Sequence, residues 1–161
     1  MKRQHKIFFL LLTFFGIIFT TGCIDKTFKP EAALEVADVT PYELTPTATD
    51  TASLPTTAIT VNSINTIPAN LKSYTISYFT KNGDPIPSLS VGTTPINLKL
   101  AAAGNISVTL NPYSAKVVEL YELSNSDISP ISAKITLYFE DYNDNIVIAE
   151  GSCLLYKFEG S

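Results

Sequence analysis

Residues 131–140 (ISAKITLYFE) alternate without a fault. Ile131, Ala133, Ile135, Leu137 and Phe139 take one side, and Ser132, Lys134, Thr136, Tyr138 and Glu140 take the other. Successive side chains of a strand point to opposite faces, so the run predicts a half-buried antiparallel strand with Tyr138 facing outward. A strand that is apolar on one face only must sit in a sheet whose inner face a second layer covers. That requirement constrains the fold more than any other feature of the chain.

Shorter runs of the same period occupy 58–65 (AITVNSIN), 73–80 (SYTISYFT), 96–100 (INLKL), 106–110 (ISVTL), 116–123 (KVVELYEL) and 145–158. Asn82-Gly83-Asp84-Pro85, Gly92, Gly104-Asn105, Asn111-Pro112 and Ser129-Pro130 punctuate them. Seven or eight short strands at this spacing, with no segment of helical period among them, predict an all-β fold: one antiparallel β-sandwich over residues 57–161. Tyr142-Asn143-Asp144-Asn145 is expected to be a tight hairpin turn, because Asn and Asp tolerate positive φ. Gly151, inside the last run, is expected to mark a bulge. In number of strands and in size the domain resembles immunoglobulin-like and fibronectin type III-like domains of bacterial surface proteins. Leu110-Asn111-Pro112 looks like the start of their Leu-x-Pro-x-x-x-Tyr signature, but Lys116 stands at the Tyr position, and the Trp and Cys pair of antibody-type cores are missing.

The amino terminus sets the compartment. Residues 1–6 (MKRQHK) are basic, and 7–19 (IFFLLLTFFGIIF) form an apolar run. That run is shorter than the roughly 20 residues a membrane-spanning helix needs, and it fits the core of an export signal. Thr20-Thr21-Gly22-Cys23 follows and resembles the lipobox of bacterial lipoproteins, with Thr20 where that family most often has Leu. The resemblance implies a signal peptide over 1–22, cleavage between Gly22 and Cys23, and fatty acylation of Cys23. It also implies an exported protein held to the cell envelope. Ile24 stands where some enteric lipoproteins carry an inner-membrane-retaining Asp, which by analogy points to the outer membrane where the host has two.

Between Cys23 and the sandwich, residues 23–56 are acidic and rich in Thr and Pro. Ten of the eighteen residues 40–57 are one or the other, and there is no glycine between Cys23 and Asn82. Such a segment has little apolar surface to bury, so it is expected to be a disordered, Pro-stiffened tether, with at most a marginal short helix over 30–39.

Removal of 1–22 takes away Lys2, Arg3, Lys6 and His5, which leaves 8 Lys, no Arg and no His against 15 acids, a net charge of -7. Nucleic acid is not an expected partner, because phosphate contacts need clustered Lys and Arg. Without an imidazole, neither a Ser-His-Asp arrangement nor a His-ligated zinc site can be built. Cys153, the only other cysteine, is expected to be a small buried hydrophobe within a strand. No enzyme activity and no cofactor are expected.

Two constellations remain. Asp141 to Asn145 reads Asp-x-Asn-Asp-Asn and is similar to the calcium-binding linker of cadherins, which makes Asp141, Asp144 and Asn145 candidate ligands for a hard cation. A polar hairpin turn explains the same residues. Tyr138, on the outer face, is the best-placed aromatic for stacking on a sugar ring, although half-buried strand tyrosines are common. The expected function is a lipid-anchored, non-enzymatic envelope protein that presents its sandwich to a protein partner. The alternatives are a carbohydrate-binding or adhesive surface domain, or an accessory subunit of an envelope complex.

Overall fold

A computed structural model describes residues 29–46, 54–123 and 128–157. The chain divides into Met1–Glu31, of which only 29–31 are described, and Ala32–Ser161, which holds every described strand and helix. Residues 1–22, read above as an export signal, and Cys23 lie outside the described residues.

Among the described residues, eight strands and one helix follow in order: β1 Leu34–Thr40, β2 Glu43–Leu44, β3 Thr57–Ser63, β4 Ala69–Phe79, β5 Val91–Leu100, β6 Asn105–Leu110, α1 Ala115–Leu123, β7 Ile131–Asp141 and β8 Ile146–Leu155. They form a three-stranded sheet, β1-β3-β6, and a five-stranded sheet, β2-β8-β7-β4-β5. Every pairing is antiparallel except β2 with β8. This is an all-β sandwich of two sheets. Strand β5 bonds to β4, on the sheet that carries the last two strands, and not to β6. Pro95 and Gly92 are tolerated in β5 because it is an edge strand with one unpaired side.

The alternation in β7 is realised in full. Its inward residues Ile131, Ala133, Ile135, Leu137 and Phe139 are all buried completely. Ile59, Val61, Val108 and Leu110 meet them from the three-stranded sheet, and Leu71, Ile76, Tyr78, Cys153 and Leu155 complete the core from the five-stranded one. Cys153 is fully buried, and burial pushes its thiol pKa up to about 11.

Three expectations are corrected. Within the segment read as a tether, 34–40 and 43–44 are strands, and neither forms a helix. The folded body therefore starts at Ala32, not at 57. As an edge strand, β1 buries one side only, and its Glu35 and Asp38 stay exposed, so its composition looks like that of a linker. The run 116–123 is not a strand but lies in α1. Its apolar residues satisfy both periods, and the choice falls to Val117 and Tyr121, four residues apart, which share the buried face of a helix. Gly151 is not a bulge, since β7 and β8 pair without a shift from Ile131↔Leu155 to Glu140↔Ile146. It occupies an inward position opposite Ile135, where an added Cβ would lie 3.1 Å from Val39 Cγ2 and 3.4 Å from Ile59 Cδ1. A side chain is missing there because the other sheet approaches that closely.

Candidate functional site

The sandwich has two unlike ends. One carries the β7–β8 hairpin, the 64–68 connection, the 101–104 connection and the start of β1. The other carries α1 and the 80–90 connection. Strand β7 runs 11 residues between them, about 35 Å at ~3.3 Å per residue.

At the hairpin end, the residues read as possible calcium ligands form a turn. The amide of Asp144 donates to Asp141 O at 3.2 Å, the amide of Asp141 donates to Asn145 O at 3.0 Å, and Asp144 has φ +63°. This is a three-residue hairpin loop closed by a left-handed residue, as the Asn and Asp content predicts. The Asp141 carboxylate accepts four hydrogen bonds. Oδ1 takes the amides of Asn143 (2.7 Å) and Asn145 (2.9 Å), while Oδ2 takes Asn145 Nδ2 (2.9 Å) and the amide of Ala32 (3.0 Å). Burial alone would raise its pKa, but the hydrogen bonds from Asn145, Ala32 and Asn143 outweigh burial and hold the carboxyl below its ordinary value. Two of its three amide partners are its own turn, and the third is the entry of the chain into the sandwich. Among the described residues, no three His, Cys, Asp or Glu side chains converge as a metal site would require.

Tyr138 lies on the outer face of the five-stranded sheet as expected, half-buried, between Ser73 of β4 and Ile148 of β8. Sequence reasoning missed its neighbours. Ile146 and Ile148 occupy outward positions of β8 and are 59% and 52% exposed, and Tyr142 in the turn is 82% exposed. Ile64, whose amide donates to Ala33 O at 2.8 Å, belongs to the same end and is 63% exposed. A signal was there: once Ala149, Cys153 and Leu155 are taken as inward, Ile146 and Ile148 fall on the side where polar residues are expected. Further along this face, Lys72–Glu140 (2.9 Å) and Lys134–Glu150 (2.8 Å) form exposed ion pairs. A shallow depression of about 300 Å³ lies beside the second, lined by Phe79, Ser132, Lys134, Glu150, Gly151 and Ser152.

At the opposite end, three tyrosine hydroxyls tie α1 and its flanks to backbone. Tyr78 donates to Pro112 O (2.7 Å), Tyr113 to Tyr156 O (2.6 Å), and Tyr121 to Leu155 O (2.5 Å) while accepting the amide of Ile131 (3.1 Å). Burial raises the pKa of all three, so they remain neutral donors. At this end, Ser88, Leu89, Lys116, Glu119, Leu120 and Leu123 line an open groove of about 230 Å³. Leu123 at its rim is 74% exposed. The groove is open, apolar along its floor, and edged by one cation and one anion. Its size suits one or two side chains of another protein better than a ligand that must be enclosed. Among the described residues, no helix is long and apolar enough to cross a membrane.

Comparison with known families and with curated proteins finds no match. Among solved structures, the chain is similar to the alkylpurine DNA glycosylase AlkC of Pseudomonas fluorescens bound to DNA containing an abasic site analog. The TM-score is 0.40 at 14% identity, covering 78% of this chain and 31% of that one. It is also similar to Spo0M, a sporulation control protein of Bacillus subtilis, with TM-score 0.38 at 4% identity, covering 81% and 51%. The chain thus spans about a third and about half of these proteins. At such TM-scores neither likeness bears on what this chain does.

Proposed function

We propose that this protein is a lipid-anchored, non-enzymatic module of the cell envelope, exported by residues 1–22 and acylated at Cys23, whose sandwich engages a protein partner. The observation that carries the reading is the Thr20-Thr21-Gly22-Cys23 run directly ahead of a folded body that begins at Ala32. The α1 groove supports the second half of it. A recessed apolar floor at Leu89 and Leu120, with Lys116 and Glu119 beside it, has the form of a protein-contact hot spot. Membrane attachment by the acyl chains, with the outer membrane as its site in a host with two, belongs to the same reading. So does the absence of cofactor chemistry.

The test is purification of the intact protein from detergent-solubilised membranes, with mass spectrometry of the amino-terminal peptide and of co-purifying proteins. A diacylglyceryl-modified Cys23 and one stoichiometric partner are expected, with Leu123→Asp releasing the partner while leaving the lipid in place. An unmodified thiol at position 23 overturns the anchor. A partner retained by Leu123→Asp overturns the groove.

Tyr138 sustains a second reading, an adhesive or carbohydrate-binding surface, because it does face outward on the broader sheet. Glycan binding abolished by Tyr138→Ala would favour it.

A further inference from the structure

Only eight residues, 24–31, separate Cys23 from Ala32, where the sandwich begins. From Cα to Cα across them, even a fully extended chain reaches only about 30 Å. The point of entry is pinned. The amide of Ala32 donates to the buried Asp141 carboxylate, and the next residue, Ala33, accepts from the amide of Ile64. Both contacts belong to the hairpin end.

The headgroup layer of one leaflet is about 5–8 Å deep, so an anchor whose acyl chains lie in the hydrocarbon holds that end within easy reach of the lipid surface. The opposite end, about 35 Å further along β7, lies beyond even the extended tether unless the body folds back against it. The side chains that would meet the lipid are of the right kind. Tyr142, Ile146 and Ile64 are exposed at this end, and Ile148 continues the stripe on the outer face of β8. Tyrosine prefers the interface between water and hydrocarbon, and isoleucine gains from leaving water. Lys72 near this end is paired with Glu140, and the chain from Cys23 onward carries 8 Lys against 15 acids, so attraction to anionic headgroups is not the driving force.

We infer that the hairpin end seats on the bilayer, with Tyr142, Ile146 and Ile64 in the headgroup region, so that the α1 groove faces away from the membrane. Three side chains alone bind lipid weakly. So short a connection makes the contact intramolecular, and this allows weak burial to fix an orientation. The inference rests on acylation of Cys23, as proposed above.

The experiment uses the processed, lipidated protein in phosphatidylcholine vesicles, with a nitroxide on Ala102→Cys at the hairpin end or on Glu119→Cys on α1. Cys153 is fully buried, so the introduced thiol takes the label. Accessibility to a water-soluble nickel reagent is expected to be about threefold lower at 102 than at 119, as immersion by roughly 5–10 Å excludes the reagent. A Tyr142→Ser, Ile146→Ser, Ile64→Ser variant should equalise the two, and its unchanged thermal unfolding would confirm that the fold survives. Equal accessibility in the unsubstituted background, with the lipid verified on Cys23, overturns the seating and spares the anchor. Lack of lipid on Cys23 overturns the anchor and the seating together. Protection of position 102 in native envelopes but not in lipid alone overturns the seating in favour of a protein that covers this end.

Discussion

The two ends of the sandwich solve the same problem with different materials. Each must satisfy backbone groups left over where strands stop. At the hairpin end a single charged carboxylate, Asp141, gathers four N–H groups, all but one of them from within four residues. At the helix end three neutral phenols reach across the fold, to carbonyls 34 to 43 residues away. The first solution is local and depends on ionisation. The second is long-range and insensitive to pH in any ordinary range, because burial keeps the phenols protonated. A small domain can therefore be locked at one end and remain titratable at the other.

The contrast can be broken most forcefully at Tyr121. Tyr121→Phe strands the buried Leu155 carbonyl and the Ile131 amide together, and should cost about 2–4 kcal/mol in urea unfolding, with the same loss at pH 4 and pH 8. Asp141→Asn should cost about 2 kcal/mol at neutral pH by the same measurement. Here pH sharpens the difference. The folded-state pKa of Asp141 is depressed, so its contribution is complete above the unfolded value near 4 and disappears as pH falls through the folded value. The gap between wild type and Asp141→Asn should therefore stay constant from pH 8 to about 5 and close below about 4. A gap that persists at low pH would mean that the hydrogen bonds do not require the charge.

Smaller effects test the packing between the ends. Gly151→Ala places a methyl 3.1 Å from Val39 Cγ2, and the strand that must yield is an edge strand. A loss of about 1–2 kcal/mol is expected, measured by thermal unfolding. Asp144→Gly removes the steric cost of φ +63° at the third loop position and should stabilise by about 0.5–1 kcal/mol, provided the hairpin keeps its register. Backbone NMR shifts at Asn143 and Asn145 would report that register.

Legibility followed the same division. The β7–β8 hairpin could be read because everything that defines it lies within 25 residues: two alternating runs joined by Asn and Asp. The helix end could not. The residues of 116–123 serve a strand or a helix equally well. What decides is that Val117 and Tyr121 have a buried place, and Tyr121 an amide and a carbonyl to meet, only after β7 and β8 have assembled. Strand β1 was hidden for a related reason. An edge strand with Glu35 and Asp38 outward has the composition of a linker, and its pairing with β3 brings together residues more than 15 positions apart. Of the candidate site, the outward position of Tyr138 was visible from period alone. The exposed company of Ile146 and Ile148 became visible only with the register of β8.

By itself the amino-acid sequence determined the all-β class, the inward set of β7, the hairpin turn and the absence of histidine downstream of residue 22, since each depends on residue type and near-neighbour spacing. Tertiary structure alone decided that the folded body starts at Ala32, that 116–123 coils, that Gly151 admits the opposing sheet and that Asp141 grips the entering chain. Each of these is settled by a partner far away in the chain, and the energy of such a contact exists only once both sheets are in place.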